Sequence, residues 1–241
     1  MIKIIGNGAI GKYLLTDNSF EMFPRFSLEN YISSKENILS YGKGNTFIFT
    51  AGMSKPQDCE ENFVLLGKIV NGTIKAIKDI AIHNKVLFLS SDVVKGRSTS
   101  YSWSKKEIEK NLLEINNVKV ARLSYVFSDV KGFEDPFTKY AIQEEKAIEV
   151  YADLKRNIIH IKDVKDGIIE ICSNFKNAPD IISLTGKNCI DKSTLLQYIK
   201  CEYNIITDTK AIEEFFKNRD KYISVEPNFY MPKIDLTKGR E

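Results

Sequence analysis

The chain has 241 residues, enough for one sizeable core or for one core with a small lobe beside it. Its hydrophobic fraction of 43% and charged fraction of 28% are those of an ordinary soluble globular protein. A formal net charge of +3, with the lysines scattered along the chain, argues against nucleic acid as a partner, and no apolar run approaches membrane-spanning length.

Met1-Ile2-Lys3-Ile4-Ile5-Gly6 is apolar but far too short for a signal peptide and runs straight into a glycine loop, so a cytoplasmic location is expected. Ile2 to Ile5 reads as a short buried strand, and Ala9 to Leu15 can form the helix after the loop. Ser19 to Phe23 is a possible second strand, stopped by Pro24, and Thr46 to Thr50 is a clear third. From Asn62 to Ile82, apolar residues including Val64, Leu65, Ile69, Ile74, Ile77 and Ile80 recur at helical spacing. Val86 to Leu89 is another strand, Lys105 to Leu113 a helix, and Val118 to Leu123 a further strand. Strands alternating with helices predict a Rossmann-type, doubly wound parallel α/β sheet. After about Asp129 the alternation loosens. Pro136 to Lys146 reads as a helix, Ile148 to Tyr151 and Ile158 to Val164 as short runs, Ile181 to Leu184 as a strand and Ser193 to Lys200 as a helix, before a polar, irregular tail. The expected organisation is a dinucleotide-binding domain over 1–130 and a small substrate-binding lobe over 131–241, interleaved with the sheet edge.

Cys59, Cys172, Cys189 and Cys201 are widely spaced, with no C-x-x-C and no His at metal spacing, so reduced structural thiols and no metal site are expected. Gly6, Gly8 and Gly11 form G-x-G-x-x-G at the end of the first strand. Such glycines let the backbone turn, approach a pyrophosphate and pack a helix against the strand, while the helix opening at Ala9 and Ile10 offers unpaired N–H groups to phosphates. The residue after the second strand should read the adenosine ribose. Arg25 lies close to that position, and a guanidinium there suits a 2′-phosphate, so NADP is the expected cofactor with NAD the alternative.

Y-x-x-x-K occurs three times, as Tyr31/Lys35, Tyr101/Lys105 and Tyr151/Lys155. Only the second opens a helix shortly after a strand, VLFLSS, that delivers a hydroxyl to the same face. A free phenol, with a pKa of about 10, is a poor proton donor-acceptor at neutral pH, and a neighbouring ammonium favours its ionised form. Ser91 can donate a hydrogen bond to a carbonyl oxygen where negative charge develops during hydride transfer.

These residues give the chain a resemblance to the short-chain dehydrogenase/reductases, in the extended branch acting on nucleotide sugars, and closest in motifs to the dTDP-4-dehydrorhamnose reductases. Thr50-Ala51-Gly52 looks like the segment beneath the nicotinamide side of the cofactor. Cys59-Glu60-Glu61 and Lys68-Ile69-Val70-Asn71 sit much as in that family, and Ser90-Ser91-Asp92-Val93-Val94 is similar to its S-T-D-Y-V stretch. The run from Tyr101 to Glu109 looks like the Y-G-x-S-K-x-x-x-E helix, followed by Val120-Ala121-Arg122-Leu123. Arg156 to Val164 resembles R-D-F-I-H-V-x-D-V. The resemblance implies Tyr101 as general acid/base, Lys105 on the nicotinamide ribose and tuning Tyr101, and Ser91 on the substrate carbonyl. It also implies cofactor contacts from Gly6, Gly8, Ala9, Ile10, Gly11, Arg25, Thr50, Ala51, Gly52, Tyr101 and Lys105, and substrate contacts from Ser91, Asp92 and Arg156, the last on a diphosphate. His160 reads as a buried structural residue.

The chain departs from the branch in a glycine loop one residue shorter and in a spacing of only ten positions between Ser91 and Tyr101. Reduction of a 4-keto nucleotide sugar is the first reading, and a redox epimerase holding NAD is the alternative. A dehydratase fits less well, because Val93 follows Asp92 where that group typically has Glu. From another class, a non-catalytic dinucleotide-binding regulatory protein would generally lack the Tyr/Lys pair. A homodimer through the helices flanking the sheet is the family expectation.

Overall fold

A computed structural model describes residues 2–143, 147–151, 155–206, 210, 211, 213 and 222–238. The first half comprises β1 (Ile2–Ile5), α1 (Ala9–Leu14), β2 (Phe20–Met22), α2 (Lys35–Ser40), β3 (Thr46–Phe49), α3 (Pro56–Glu61) and α4 (Phe63–Ala81). There follow β4 (Lys85–Ser91), a 3-10 turn (Asp92–Lys95), α5 (Ser100–Leu112), β5 (Val118–Leu123), β6 (Tyr125–Phe127) and α6 (Pro136–Gln143). The remainder holds β7 (Ile148–Val150), β8 (Lys155–His160), α7 (Ile161–Ser173), β9 (Ile181–Leu184), β10 (Cys189–Ile190), α8 (Lys192–Tyr198), β11 (Tyr203–Ile205) and β12 (Tyr222–Ile223).

Among the described residues the central sheet has six strands in the order β2-β1-β3-β4-β5-β9, every pair parallel. The expected doubly wound sheet is present, and the reason lies in the alternation of side chains along each strand. Phe47, Phe49, Val86, Phe88, Val118 and Val120 face a core completed by Leu66, Val70, Ile74 and Ile77 of α4 and by Ile108 and Leu112 of α5. Ile48, Leu87, Leu89, Ala121 and Leu123 face the opposite core, with Leu14 of α1 and Val164, Ile168 and Ile171 of α7. Both faces are thus covered by helices. β1 lies between β2 and β3, so the chain winds in opposite directions from it. That switch point opens a crevice beyond the carboxyl ends of the strands, where ligands of such sheets bind.

Beyond short elements that the sequence reading did not give, such as α2 and α3, several segments differ from expectation. α5 begins at Ser100, five residues before the expected Lys105, because Thr99 and Ser102 form a reciprocal capping box that starts the helix early. The apolar run from Ile158 to Val164 divides. β8 ends at His160, whose Nδ1 accepts the Lys162 N–H at 3.1 Å and caps α7, a thirteen-residue helix that the sequence reading lacked. The tail, expected to be irregular, holds the short strands β11 and β12 among its described residues, and Val225, Tyr230 and Leu236 are buried. The expected helix over Pro136 to Lys146 is present to Gln143, and residues 144–146 lie outside the described residues.

Beyond the main sheet, β8 pairs parallel with β6 and with β12 and antiparallel with β10, while β7 pairs with β11. Within the 131–241 region, β9 returns to the central sheet and pairs with β5.

Candidate functional site

One cavity of about 540 Å³ occupies the switch-point crevice. Every strand end that faces it contributes: Ile5 and Gly6 after β1, Phe23 after β2, Thr50 after β3, Ser90 and Ser91 on β4, and Leu123 and Ser124 after β5. Of the residues singled out in the sequence, Gly6, Gly8, Ala9, Ile10, Gly11, Arg25, Thr50, Ala51, Gly52, Ser91, Tyr101 and Lys105 all line it.

The glycine loop is shaped by two different demands. Gly6 has φ +122°, and a Cβ there would overlap the Thr50 hydroxyl and crowd the Ala51 amide, while one at Gly11 would overlap the Gly6 carbonyl. The protein itself therefore requires those two glycines. Gly8 is different: a Cβ there would meet no protein atom within 4 Å. What its missing side chain leaves open is the cavity, as a pyrophosphate approaching the backbone would need. The first amides of α1 lack intrahelical partners and no side chain caps them.

At the other end of the cavity, Tyr101 sits in the first turn of α5 and Lys105 one turn on. Lys105 Nζ donates to the Leu89 carbonyl at 3.3 Å and lies 5.0 Å from the centre of the Phe88 ring and 5.8 Å from that of Tyr101. Burial pushes this lysine down to about 8, against the opposing pull of Cys59 and Glu109. The expectation of a phenol lowered by Lys105 is corrected here. Burial raises Tyr101, with Cys59 and Asp92 adding to the rise and the Ser91 hydroxyl and Arg156 opposing it. The ammonium is directed to a backbone carbonyl rather than to the phenol oxygen.

The adjacent serines separate in role. Ser91 lines the cavity and also accepts the Val93 N–H at 3.4 Å, capping the 3-10 turn that follows β4. Ser90 donates to Glu109 Oε1 at 2.5 Å. Glu109 in turn receives Arg122 through Nε at 3.1 and 3.2 Å and through Nη2 at 2.6 Å. This triad, with Ser90 and Glu109 buried and Arg122 half-buried, locks α5 onto the ends of β4 and β5.

Asp92 and Arg156 are brought together directly behind the lining: neither lines the cavity, but the Ser91 hydroxyl donates to Asp92 Oδ1 at 3.4 Å. Asp92 is 0% exposed, and its Oδ1 accepts Arg156 Nη2 at 2.7 Å. Burial raises the carboxyl even though the guanidinium pulls it down. Asp92 Oδ2 and Arg156 Nε are both buried without a hydrogen-bond partner. His160 is 2% exposed and bonded to Asp129 Oδ1 at 2.9 Å, with its pKa lowered by burial.

The sequence reading missed the wall formed by Phe23, Pro24, Phe26 and Leu28, and also Ser54, Ser124 and Val126. Position alone could have found Ser124, because each neighbouring strand end already carries a lining residue. It also missed Glu60, which accepts the Ser100 N–H at 2.8 Å and the Ser100 hydroxyl at 2.7 Å at the start of α5. Among the described residues no group of His, Cys, Asp and Glu is placed to hold a metal, and no helix is long and apolar enough to cross a membrane.

The fold is shared with solved nucleotide-sugar enzymes. A dTDP-4-dehydrorhamnose reductase from Bacillus anthracis str. Ames, in complex with NADP, is 18% identical with a TM-score of 0.74, over 94% of this chain and 90% of that one. The same enzyme from Yersinia enterocolitica is 16% identical at a TM-score of 0.74, over 98% and 96%. MoeE5 in complex with UDP-glucuronic acid and NAD is 14% identical at a TM-score of 0.71, over 99% and 95%. No protein-family model matches the chain, and no curated protein matches its sequence.

Proposed function

We propose that this chain is an NAD(P)-dependent oxidoreductase moving a hydride between nicotinamide and a keto or hydroxyl carbon of a nucleotide sugar, with reduction of a 4-keto sugar as its reaction. One observation carries the reading: the glycine loop and the Ser91, Tyr101 and Lys105 side chains line the same cavity at the switch point of a doubly wound sheet. The residues fit a dinucleotide. Gly8 opens onto free space, the first amides of α1 are uncapped, and no Asp or Glu is among the described residues lining the cavity. Arg25 is exposed on that lining, so a 2′-phosphate would meet a guanidinium and no carboxylate. NADP is therefore the cofactor we propose, with NAD the alternative. The fold neighbours include proteins in complex with NADP and with NAD.

The bound cofactor supplies the hydride. The Tyr101 phenol, kept protonated by burial, holds the proton that passes to the carbonyl oxygen as charge develops there. Ser91 donates a hydrogen bond to the same oxygen. Lys105 holds the nicotinamide ribose, with its ammonium also bonded to the Leu89 carbonyl. Residues 131–241 would form the substrate lobe, with Asp92 and Arg156 at its junction with the first part and Arg156 available to a diphosphate. We also propose a cytoplasmic homodimer. Phe63 and Val64 at the start of α4 remain 50% and 78% exposed, and Trp103 of α5 packs on Phe63 with ring centres 5.1 Å apart.

The test is a fluorescence titration of cofactor-stripped protein with NADPH and, separately, NADH. Tighter binding of NADPH supports the reductase and the role of Arg25, and directs turnover assays to 4-keto nucleotide sugars. A preference for NADH moves the reading to an epimerase or dehydrogenase. Binding of neither overturns it.

A further inference from the structure

β2 is an edge strand, and the chain leaves the sheet immediately after it. The Phe23 N–H still bonds the Ile4 carbonyl at 2.9 Å, but the residues beyond it form no strand. Yet Phe23, Pro24, Arg25, Phe26 and Leu28 line the cavity beside the glycine loop. A wall made of irregular chain needs support from elsewhere, and α4 gives it.

Three positions on one flank of α4 meet this segment, spaced by four and seven residues so that they share a side. Gly72 is where the Leu28 carbonyl sits, and a Cβ there would overlap that oxygen and crowd the Leu28 carbonyl carbon at 2.7 Å. Asp79 Oδ2 accepts the Tyr31 hydroxyl at 2.8 Å, and that hydroxyl also meets the Tyr41 hydroxyl at 3.0 Å, all three residues being buried. Lys68 lies 3.6 Å from Glu29 on the surface, where an ion pair contributes little. Leu28 and Tyr31 are themselves joined, the Tyr31 N–H bonding the Leu28 carbonyl at 3.4 Å. No residue of α4 lines the cavity.

We infer that Gly72 and Asp79 are positioning residues for the adenosine end of the dinucleotide. They fix the turn from Leu28 to Tyr31 against α4, and so set where Phe26 and Arg25 stand in the cavity wall. The inference rests on the NAD(P) reading above and adds to it that dinucleotide affinity and discrimination are set partly from a helix that touches no ligand. Alanine is a better helix former than glycine, so a Gly72→Ala change favours α4 locally. Any loss it brings therefore comes from displacing Leu28. Only two residues, Phe26 and Ser27, separate Leu28 from Arg25, so a backbone shift at one moves the other.

The experiment uses the full chain and measures dissociation constants for NADPH, NADH and reduced nicotinamide mononucleotide, which lacks the adenosine half. Gly72→Ala is expected to weaken NADPH at least tenfold and narrow its advantage over NADH, while leaving the mononucleotide unchanged. Tyr31→Phe, which removes both hydroxyl contacts without adding bulk, is expected to act in the same direction by a smaller factor. It carries the test alone if Gly72→Ala fails to fold. Wild-type constants for both dinucleotides in a folded variant would overturn the inference, as would equal weakening of NADPH and the mononucleotide. If the wild-type protein binds neither dinucleotide, the NAD(P) reading itself is what fails.

Discussion

At the residue scale, the cavity is lined by a half-buried lysine and a half-buried tyrosine whose environments work against their charged forms. Tyr101 is raised and Lys105 is lowered, both chiefly by burial. Perturbed groups inside a cleft mark a candidate functional site, and the Lys105 shift has a stability consequence with a definite sign. Below about 8 the folded protein keeps Lys105 charged in a poor solvent, while the unfolded chain holds the same proton in water. Between about 8 and 10.5 the folded state loses the proton first, so the penalty fades as pH rises through that window. Lys105→Met should therefore be more stable than wild type at pH 7 and inactive, with the stability gap narrowing toward pH 10.5; denaturant midpoints at the two pH values read it directly. A gap that widens with pH would show that the ammonium is stabilised in its setting. Tyr101→Phe should lower kcat by roughly 10²–10⁴-fold with the NADPH dissociation constant unchanged, since it removes a proton donor and leaves the cavity shape intact. The motif was legible in the sequence because helical spacing alone places positions 101 and 105 on one side. The direction of the Tyr101 shift was not, because burial depends on the neighbours and not on the motif.

At the scale of elements, α5 is the part whose placement decides whether those side chains meet Ser91. Four contacts hold it: the Thr99 and Ser102 capping box, Glu60 on Ser100, Lys105 on the Leu89 carbonyl, and Glu109 between Ser90 and Arg122. Two lie in the first turn, beside Tyr101. Thr99→Ala should cost about 1 kcal/mol of stability through the lost cap. It should also reduce kcat more than it raises the KM of the dinucleotide, because the turn it loosens carries the phenol. Equal effects on the two constants would mean that the cap matters only for folding. Glu109→Ala leaves Arg122 and Ser90 without their acceptor, and such an unpaired partner costs about 3–5 kcal/mol, to be read from denaturant unfolding. The strands of the central sheet were legible because each is a short apolar run bounded by turn residues. The exact start of α5 was not, because Ser100, Ser102 and Ser104 look like a loop until their hydroxyls are seen bonded to the Glu60 carboxylate, the Arg97 carbonyl and the Tyr101 carbonyl respectively. α7 was hidden for a related reason. Its apolar positions Ile161, Val164, Ile168 and Ile171 have helical spacing, but Ile158 and Ile159 just before them continue the apolar run of the strand.

At the scale of the whole molecule, the division at residue 130 that the sequence suggests meets a chain that crosses it repeatedly. β9 completes the sheet edge beside β5, and α7 covers the face that Ile48, Leu87 and Leu123 present. The tail is held to α7 mainly by one buried carboxylate: Asp163 accepts the Tyr230 hydroxyl at 2.8 Å, the Lys233 N–H at 2.9 Å and the Ile234 N–H at 3.0 Å, while Lys233 Nζ reaches Asp166 at 3.1 Å on the surface. Tyr230 is 2% exposed, and its ring lies against Gly167, where a Cβ would come within 3.1 Å of it. None of this was legible from composition, because the tail is polar on average and its anchors are single residues far from their partners. The consequence is that the dinucleotide cavity and the proposed lobe share one core and should unfold together. Tyr230→Ala removes a buried ring and leaves Asp163 short of a donor, so a loss of about 3–5 kcal/mol is expected. That loss should appear in one transition, monitored both by circular dichroism and by NADPH fluorescence, with coincident midpoints. Two separated transitions, with the dinucleotide signal surviving the first, would show instead that residues 1–130 stand without the tail.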